Sequence, residues 1–348
     1  MSNLVFLIAL IFFLWIGRSL FIPLLFATFL WYLLNAIAAY YRKIMPCYKT
    51  SAGTCKISTK LYNFTSGVLS LATIGGIIYL FATQIEPMLA ELYNSTPILQ
   101  QKLFVFSNYV SEKAGINIDM NLIPNLPQIA AYIGSSLAGI ATSIGMVLIY
   151  LIFMFVEQSS FNKKIDAMPL SKLKAKKLRY ILNSIDDNMK KYLFTKTFIS
   201  AATGVTAYIL LRIIGLEYAS VWAFIIFILN YIPTIGSIFA CALPIAFALI
   251  SSDTWHLPLL TAISLIATEV IFGNIIDPKL TGKTLNISTL AILINLVFWG
   301  MIWGPAGMFF SVPILAAIYI TTAQFSSTRW IATLLSTDGK IPDETLPD

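Results

Sequence analysis

Four polar side chains stand out in the second half of the sequence because apolar residues surround them: Asn230, Glu269, Asn274 and Asp277. Glu269 is the only carboxylate of its stretch, and an ionised carboxylate at the centre of a membrane helix is costly, so such residues usually face a cavity or a cation. A carboxyl group in an apolar setting is able to bind and release a proton. We therefore predict that Glu269 carries the coupling ion of a transport pathway. The alternative is an interfacial Glu269 that pairs with Lys279.

Neutral amides accompany this carboxylate. Asn230, Asn274 and Asn295 lie within or at the ends of apolar stretches and supply both hydrogen-bond donors and acceptors. Such groups suit a hydroxylated solute or an ion, and Asp277 is a candidate second ligand for a monovalent cation. Each asparagine is equally suited to joining two helices, an interaction worth about 0.6 to 2 kcal/mol.

Prolines and glycines interrupt the same stretches and predict broken helices, because they remove hydrogen bonds or add backbone freedom. Broken backbone persists in a bilayer only where it packs on protein or lines a wet cavity, so the breaks indicate a pathway. The predicted breaks are Pro233, Gly236, Pro244, Pro278, Gly282, Gly300, Gly304, Pro305, Gly307 and Pro313.

The composition places these residues in a membrane. The chain is 58% hydrophobic and 11% charged, with a mean hydropathy of +0.80. Between Lys283 and Arg329 there are 45 residues without a charge, whereas one helix needs about 20 residues to cross a bilayer. The sequence therefore predicts an all-α polytopic integral membrane protein.

The distribution of charge predicts the orientation of the chain. The net charge is +7, and basic residues concentrate in Arg42 to Lys60 and in Lys163 to Lys196, as expected of cytoplasmic loops. The excess of basic residues is therefore explained by the orientation of the chain in the membrane, and a nucleic-acid partner is not expected. The more acidic segment from Glu86 to Asp119 is predicted to lie outside. One histidine and three cysteines predict no metal site and no cofactor.

We interpret residues 1–348 as one membrane domain. A helical hairpin turning at Gly17-Arg18 opens it, and an outer amphipathic helix follows between Ser95 and Gly115. A basic inner helix precedes the transport core. In chain order, the predicted parts are 4–60 (hairpin and inner loop), 61–157 (spans around the outer helix), 158–197 (basic cytoplasmic segment), 198–325 (transport core) and 326–348 (tail).

Two long uncharged runs flank the Glu269 segment, one of 35 residues between Glu217 and Asp253 and one between Lys283 and Arg329. Each has a Pro/Gly break near its middle, and broken helices in corresponding positions are typical of transporter binding sites. Each run is either a re-entrant hairpin or a kinked crossing. We favour hairpins, because they leave Lys279 and Lys283 on the cytoplasmic side.

These motifs, taken together, resemble the autoinducer-2 exporter (AI-2E) family of bacterial transporters over nearly the whole chain. The residues that carry the resemblance are Asn230, Pro233, Gly236, Pro244, Glu269, Asn274, Asp277, Pro278, Gly282, Lys283, Leu285, Trp299, Gly300, Gly304, Gly307 and Pro313. The resemblance implies about eight segments in the bacterial inner membrane, both termini in the cytoplasm, and a homo-oligomer, specifically a pentamer.

The same resemblance implies export of autoinducer-2, and in some members exchange of sodium or lithium for protons. One position departs from the family pattern: the chain reads Leu285-Asn-Ile-Ser288 where a proline often follows the leucine. We therefore expect a local difference at the start of the last segment.

Two functions are consistent with these residues. The first is a secondary transporter that exports a small polar solute with proton coupling through Glu269, and the second is a sodium or lithium/proton antiporter. A channel or a structural membrane protein is less well supported. An enzyme is not expected, because no metalloprotease, P-loop or Ser–His signature occurs within the spans.

Overall fold

The computed structural model describes residues 2–44, 65–76, 144–158, 160–169, 171–252, 254–281 and 286–341, together with isolated positions between 79 and 112. These residues are helical apart from short turns and one isolated β-bridge. Four of the helices are long and apolar enough to cross a membrane: Arg18–Tyr41, Leu173–Ile214, His256–Leu280 and Thr289–Ala323. The prediction of an all-helical, polytopic membrane protein is confirmed. The predicted outer helix between Ser95 and Gly115 lies mostly outside the described residues.

The described helices are numbered here in chain order. They are α1 (Ser2–Ile16), α2 (Arg18–Ile44), α3 (65–76), α4 (Ile144–Glu157), α5 (Phe161–Ala167), α6 (Lys172–Ile214), α7 (Ala219–Leu229), α8 (Ile235–Ser251), α9 (His256–Glu269), α10 (Asp277–Thr281), α11 (Thr289–Ala323) and α12 (Arg329–Leu335). A π-helical segment, Val270–Ile276, joins α9 to α10 without a gap. A turn at Gly17 separates α1 from α2, and the hairpin predicted there stays a prediction.

Helix α6 is much longer than the sequence pattern indicated. It runs through 43 residues, which corresponds to about 65 Å, or twice the thickness of the hydrocarbon core. The predicted boundary between residues 197 and 198 lies inside it, so the basic segment and the following span are one element. The reason is local: α6 contains no proline and only one glycine, Gly204. The Ser171 side chain caps its start, and left-handed Gly215 ends it.

The first long uncharged run folds back on itself. The Phe247 ring near the end of α8 lies 5.3 Å from Trp222 and 6.1 Å from Tyr218, which are at the start of α7. The two helices are therefore antiparallel and their open ends lie together. The turn between them runs from Asn230 to Thr234, and Thr234 has a φ of 59°, a strained value for a β-branched residue. We call α7, this turn and α8 the first hairpin.

Pro244 does not break the first hairpin. It lies inside α8, which continues from Ile235 to Ser251, so the prediction of a break at this position is wrong. Pro244 is fully buried, and Ala240 and Ala248, one turn before and after it, are buried as well. Small neighbours and close packing let a membrane helix accommodate a proline without ending.

The second long run also folds back. The Asn295 amide donates to the carbonyl of Ser311 over 2.7 Å, although 16 residues of straight helix would separate them by about 24 Å. The reversal takes place at Gly304, whose φ of 62° and ψ of −144° are non-helical and essentially restricted to glycine. Pro305 follows directly at the start of the returning arm. We call α11, with its apex at Gly304, the second hairpin.

The remaining predicted breaks in this run do not interrupt it. Gly304 is the non-helical residue inside α11, so Gly300, Gly307 and Pro313 lie on its helical arms. Gly307 is needed for close packing, because a Cβ there would overlap the backbone carbonyl of Trp299. It allows the two arms of the second hairpin to approach closely.

The tips of the two hairpins meet. Tyr231, in the turn of the first hairpin, stacks on Phe309 of the second with ring centroids 4.8 Å apart. Phe26 and Phe29 of α2 pack edge-on against the same aromatic cluster. Helix α9, which ends at Glu269, packs against α6 and against α8 of the first hairpin.

Candidate functional site

A buried ion pair joins the long helix to the Glu269 helix. The Nζ atom of Lys196 lies 2.6 Å from Oδ2 of Asp277, and the two side chains are 8% and 19% exposed. Lys196 belongs to the middle of α6, whereas Asp277 is the first residue of α10. A buried charge that loses its partner is strongly destabilising, so this pair holds the two helices in register.

Glu269 is the second carboxylate of the site. Its Oε1 atom is buried and has no hydrogen-bond partner among the described residues, whereas Oε2 lies over Gly273, at 3.0 Å from where a Cβ would be. Both Lys196 and Asp277 act on Glu269 electrostatically. The alternative partner, Lys279, is exposed. The described ion pairs include none between Lys279 and Glu269, and the nearby cation is Lys196 instead.

The backbone between the two acids has an unusual form. Glu269 is the last residue of α9, and the next seven residues are π-helical before α10 begins at Asp277. π-helical turns are rare and occur frequently at functional sites. The π-helical turns determine how far Asp277 is rotated around the helix axis relative to Glu269. The result is that both fall within the electrostatic range of one lysine.

A stripe of polar side chains on α6 faces the first hairpin. Thr197 accepts a hydrogen bond of 2.8 Å from the Tyr231 hydroxyl, and Thr203 accepts one of 3.3 Å from the Asn230 amide. Ser200 lies between them, fully buried, and its hydroxyl has no partner in the described part of the chain. The turn of the first hairpin is therefore docked on α6 by hydroxyl groups that lie within about two helical turns of Lys196.

The sequence reading missed the contribution of α6. Lys196, Ser200 and Thr203 follow at helical spacing after the apolar stripe that ends with Met189 and Tyr192. The signal was thus present: polar residues at i, i+4 and i+7 on the buried face of a helix. The predicted boundary between residues 197 and 198 divided this signal, because Lys196 was counted with the cytoplasmic lysines while Ser200 and Thr203 fell in the transport core.

The predicted site residues divide into two groups. Asn230, Glu269 and Asp277 lie against α6, and Pro233 lies in the turn of the first hairpin. Asn274, by contrast, is exposed on the outer face of the π-helical segment. Gly236 belongs to the first turn of α8, where a Cβ would overlap the carbonyl of Leu229.

The other predicted residues lie elsewhere. Asn295 is part of the second hairpin, where it also accepts a 3.0 Å hydrogen bond from the Trp299 indole. It therefore joins the arms of that hairpin. Pro278 is the second residue of α10, and Gly282 lies outside the described residues.

The combined charge of Lys196, Asp277 and Glu269 depends on one proton. Lys196 contributes one positive charge, and Glu269 and Asp277 contribute one negative charge each when ionised. A cluster of this kind is neutral with one carboxyl protonated and carries a net charge of −1 after that proton leaves. Within the described residues, no group of three His, Cys, Asp or Glu side chains is placed to hold a metal ion. The arrangement is suited to proton binding and release.

Comparisons with known proteins concern the family of the chain. Residues 4–327 match the family model described as AI-2E family transporter. The chain is 31% identical over 252 residues to the AI-2 transport protein TqsA of Escherichia coli, an alignment that covers 72% of this chain and 67% of TqsA. A relative from Haemophilus influenzae is 34% identical over 222 residues, covering 63% of this chain and 62% of its own.

A longer alignment extends the likeness along the chain. YrrI of Bacillus subtilis is 25% identical over 325 residues, which is 90% of this chain and 88% of YrrI. The alignments with the first two relatives span about two thirds of their lengths. The family resemblance stated from the sequence motifs is confirmed.

Proposed function

Because the chain belongs to the AI-2E family of membrane transporters, we propose that it is a secondary transporter that exports a small polar solute such as autoinducer-2, driven by protons. The name of TqsA supports autoinducer-2 as the first solute to test. The family assignment also agrees with the absence of an enzymatic signature in the sequence. The direction of transport and the coupling ion belong to this proposal.

One observation carries the proposal. The Glu269 side chain is half-buried, its Oε1 atom is buried without a partner among the described residues, and both members of the Lys196–Asp277 pair act on it electrostatically. An unpaired buried oxygen is costly in a membrane, so a purely structural role would leave this cost uncompensated. Binding a proton or a solute hydroxyl at Glu269 removes this free-energy cost. The neighbouring Ser200 hydroxyl, also without a described partner, offers a second polar contact for the same solute.

The topology we propose follows from the folded-back runs. Each hairpin enters and leaves the bilayer on one side, so both are re-entrant, and the total is about eight membrane segments with both termini in the cytoplasm of a bacterium. This orientation is supported by exposed lysines at the beginning of α6, including Lys174 and Lys176, which suit the cytoplasmic side. The broken hairpin tips then meet within the membrane, where backbone groups can bind a solute.

We also propose that the transporter is a homo-oligomer, with the pentamer as the first state to test. Asn274 supports an oligomer because it is exposed on an apolar face formed by Val270, Ile271 and Ile275. An amide facing lipid chains lacks hydrogen-bond partners, whereas a neighbouring subunit supplies them.

A sodium or lithium/proton antiporter is the second candidate. The observation that favours it is the supply of oxygen ligands around Lys196, namely the Glu269 and Asp277 carboxylates and the Ser200 hydroxyl. Hard cations prefer oxygen ligands, and a cation would occupy the position that a proton leaves.

The experiment uses the full-length protein in liposomes that contain a pH-sensitive dye. Autoinducer-2, NaCl and LiCl are added in separate runs, and the proton flux is recorded with and without an imposed pH gradient. We expect flux with autoinducer-2, and a Glu269→Gln variant that loses at least about 90% of it, since the amide can neither bind nor release the proton. Glu217→Gln, at an exposed acid, is the control.

The outcomes separate the two candidates. Flux with sodium or lithium but not with autoinducer-2 selects the antiporter. A wild-type protein that moves no proton under any of these gradients would contradict both. Equal flux in the Glu269→Gln variant and the wild type would remove Glu269 from the coupling step.

A further inference from the structure

We propose that the cavity where α6 ends and the first hairpin begins is a binding site for an anionic phospholipid, whose phosphate is held by Arg212 and whose acyl chain lies along α6. This inference goes beyond the proposed transport function and depends on neither the solute nor the coupling ion. It assigns a ligand to the end of α6 that lies opposite its basic start.

The cavity has a volume of about 370 Å³, which is within the range of small-molecule sites in proteins. One part of its wall belongs to α6, and another belongs to the turn that leads into α7 and to the start of that helix. The described residues that line it are Pro87, Tyr208, Arg212, Tyr218, Ala219 and Ser220. A space of this size accommodates a phosphate group together with its glycerol.

The chain reverses direction beside this cavity. Gly215 ends α6 with a φ of 84°, and Tyr218 precedes α7 with a φ of 54°. Further from this reversal the two helices are in close contact, because a Cβ on Gly204 would lie 3.1 Å from a backbone carbonyl of α7. Tyr208 and Arg212 follow this glycine by four and eight residues. The cavity therefore lies where large side chains succeed the glycine contact.

Arg212 is the charged residue of the described lining. Its side chain is exposed, and the ion pairs of the described residues do not include it. The nearest acid in the sequence, Glu217, is exposed as well and is not among the lining residues. A guanidinium group presents a planar set of donors that matches the oxygens of a phosphate. Charge complementarity therefore favours a ligand with a phosphate group.

An apolar stripe leads away from Arg212 along α6. Ile209 and Val205 precede the arginine by three and seven residues, which places them on the same helical face, and they are 50% and 59% exposed. The stripe extends about 10 Å from the arginine. A free phosphate ion makes no use of such a surface, whereas the acyl chain of a phospholipid covers it. The combination of a cation and an apolar stripe therefore favours a lipid.

The aromatic residues of the lining support the same occupant. Tyr208 and Tyr218 contribute to the wall of the cavity, and tyrosine is enriched where lipid headgroups meet the hydrocarbon. Basic pockets between membrane helices bind anionic headgroups. The positive group of a zwitterionic headgroup would weaken the attraction to Arg212, so an anionic lipid binds more tightly. A lipid held here contacts both α6 and α7, and thus joins the long helix to the first hairpin.

The test is photo-crosslinking of the full-length protein in liposomes of phosphatidylcholine. One sample contains a trace of phosphatidylglycerol with a diazirine in its acyl chain, and a second contains phosphatidylcholine with the same diazirine. Adducts are mapped by mass spectrometry, and the yield at residues 205–213 is divided by the yield at Ile238 and Phe239, which are exposed on α8. We expect this ratio to be at least about fivefold higher for phosphatidylglycerol, the factor that one basic residue contributes.

Substitutions at the arginine sharpen the test. In Arg212→Gln the two probes are expected to give the same ratio, because the charge that distinguishes them is gone. Arg212→Lys keeps the charge but loses the planar set of donors, so its ratio lies between those of the wild type and Arg212→Gln. The matched control is Arg18→Gln, which removes an exposed arginine that lies over the Trp15 ring. This control is expected to give the ratio of the wild type.

The fold of each variant is checked by thermal unfolding in detergent before reconstitution. Arg212→Gln is expected to unfold at the temperature of the wild type, since the side chain is exposed. Should this variant unfold early, Arg212→Lys takes its place, and the ratio for phosphatidylglycerol must then fall relative to the wild type for the inference to stand.

A competition arm separates a lipid from a soluble anion. Sodium phosphate is added in excess and compared with sodium chloride at equal ionic strength, which screens the charges equally. We expect the same yield at residues 205–213 in both salts, because the phosphate ion lacks the apolar contacts of the lipid. A selective loss of adducts in sodium phosphate would identify the cavity as a site for free phosphate and overturn the lipid assignment.

Two further results would overturn the inference. One is an equal ratio for the two probes in the wild type, which would mean that α6 contacts lipid here without selecting its headgroup. The other is a loss of selectivity in Arg18→Gln as large as that in Arg212→Gln, which would show that the general positive charge of the protein, and not this cavity, attracts the lipid.

Discussion

The two hairpins arise from similar apolar runs but reverse direction by different means. The first uses a five-residue turn from Asn230 to Thr234, whose polar side chains bind hydroxyls on α6. The second reverses at Gly304 alone and is joined arm to arm by Asn295, which bonds to both Ser311 and Trp299. Its apex region reaches α1 instead, where the Trp303 indole donates to the Leu14 carbonyl over 3.0 Å.

The first hairpin therefore contacts the helix of the proposed coupling site, whereas the second mainly supports the fold. The first hairpin is hydrogen-bonded to α6, the helix that carries Lys196. The described hydrogen bonds of the second hairpin lie mainly within it and to α1, although it also packs against α6. Tyr231 contacts both, since its hydroxyl binds Thr197 while its ring stacks on Phe309. It belongs to an apolar interface between the two hairpins that also includes Ile232 and Phe310.

The largest expected effect is at the glycines that let the arms of each hairpin meet. Gly236→Ala and Gly307→Ala place a methyl group on the carbonyls of Leu229 and Trp299, and backbone cannot yield as a side chain can. We expect each to lower the free energy of unfolding by at least about 2 kcal/mol. Denaturant titration in detergent measures it.

The matched control is Gly145→Ala in α4, where a Cβ meets nothing within 4 Å among the described residues. This variant is expected to be as stable as the wild type or slightly more stable, since alanine favours a helix. If the variants at Gly236 and Gly307 unfold like the control, the close approach of the arms is not a requirement of either hairpin.

A smaller effect distinguishes the two asparagines. Asn295→Ala removes two hydrogen bonds inside the second hairpin and is expected to cost about 1 to 2 kcal/mol of stability, with the pH dependence of proton flux unchanged. Asn230→Ala removes one longer bond to Thr203, so it costs less stability but alters the flux profile. Unfolding and liposome flux are measured on both variants. The reverse pattern would place the chemistry in the second hairpin.

The smallest expected effect concerns the hydrogen bonds between the open end of the second hairpin and the tail of the chain, which we call the latch. Ser288 donates to the Leu335 carbonyl, and the Asn286 amide donates to both Asp338 and the Lys340 carbonyl. The hydrogen bond from Asn286 and those from nearby backbone hold the pKa of Asp338 below its ordinary value of 3.8. A lowered pKa in the folded state contributes stability above pH 3.8, which is lost as the pH falls through the folded value.

We therefore expect the unfolding temperature to fall more steeply below about pH 4 in the wild type than in Asp338→Asn, which lacks the titrating group. Asn286→Ala is expected to resemble Asp338→Asn, because it removes the main cause of the shift. The difference is small since Asp338 is fully exposed to solvent. Identical pH profiles for the three proteins would show that the latch does not act through this hydrogen bond.

The sequence predicted the large-scale fold well because the hydrophobic signal is strong. Uncharged runs longer than one span, with glycine and proline at their middle, indicated folded-back segments, and the contacts of Phe247 and Asn295 show that both runs reverse. The sequence-based prediction failed where the effect of a residue depends on how its surroundings pack. Pro244 was predicted to break a helix that tight packing keeps continuous, and the length of α6 was hidden by its change from charged to apolar composition.

The site was only half predictable for a related reason. Glu269 and Asp277 stand out because acids are rare in apolar sequence, whereas Lys196 follows other lysines and looks like one of them. The helical spacing of Lys196, Ser200 and Thr203 places the lysine on one face of α6, but the burial of that face depends on how α6 packs against the Glu269 helix. The π-helical turns after Glu269 depend in the same way on long-range packing. Asn274 also stands out among apolar neighbours, and its side chain is exposed on the π-helical segment.

The unbroken course of α6 has a mechanical consequence. About 37 Å of continuous helix separates Ser171 from Lys196, and no loop lies between them to absorb motion. The helix therefore forms one continuous connection between exposed lysines near its start, such as Lys174, and the ammonium group of Lys196 at its middle. A tilt of its first turns would displace that ammonium group.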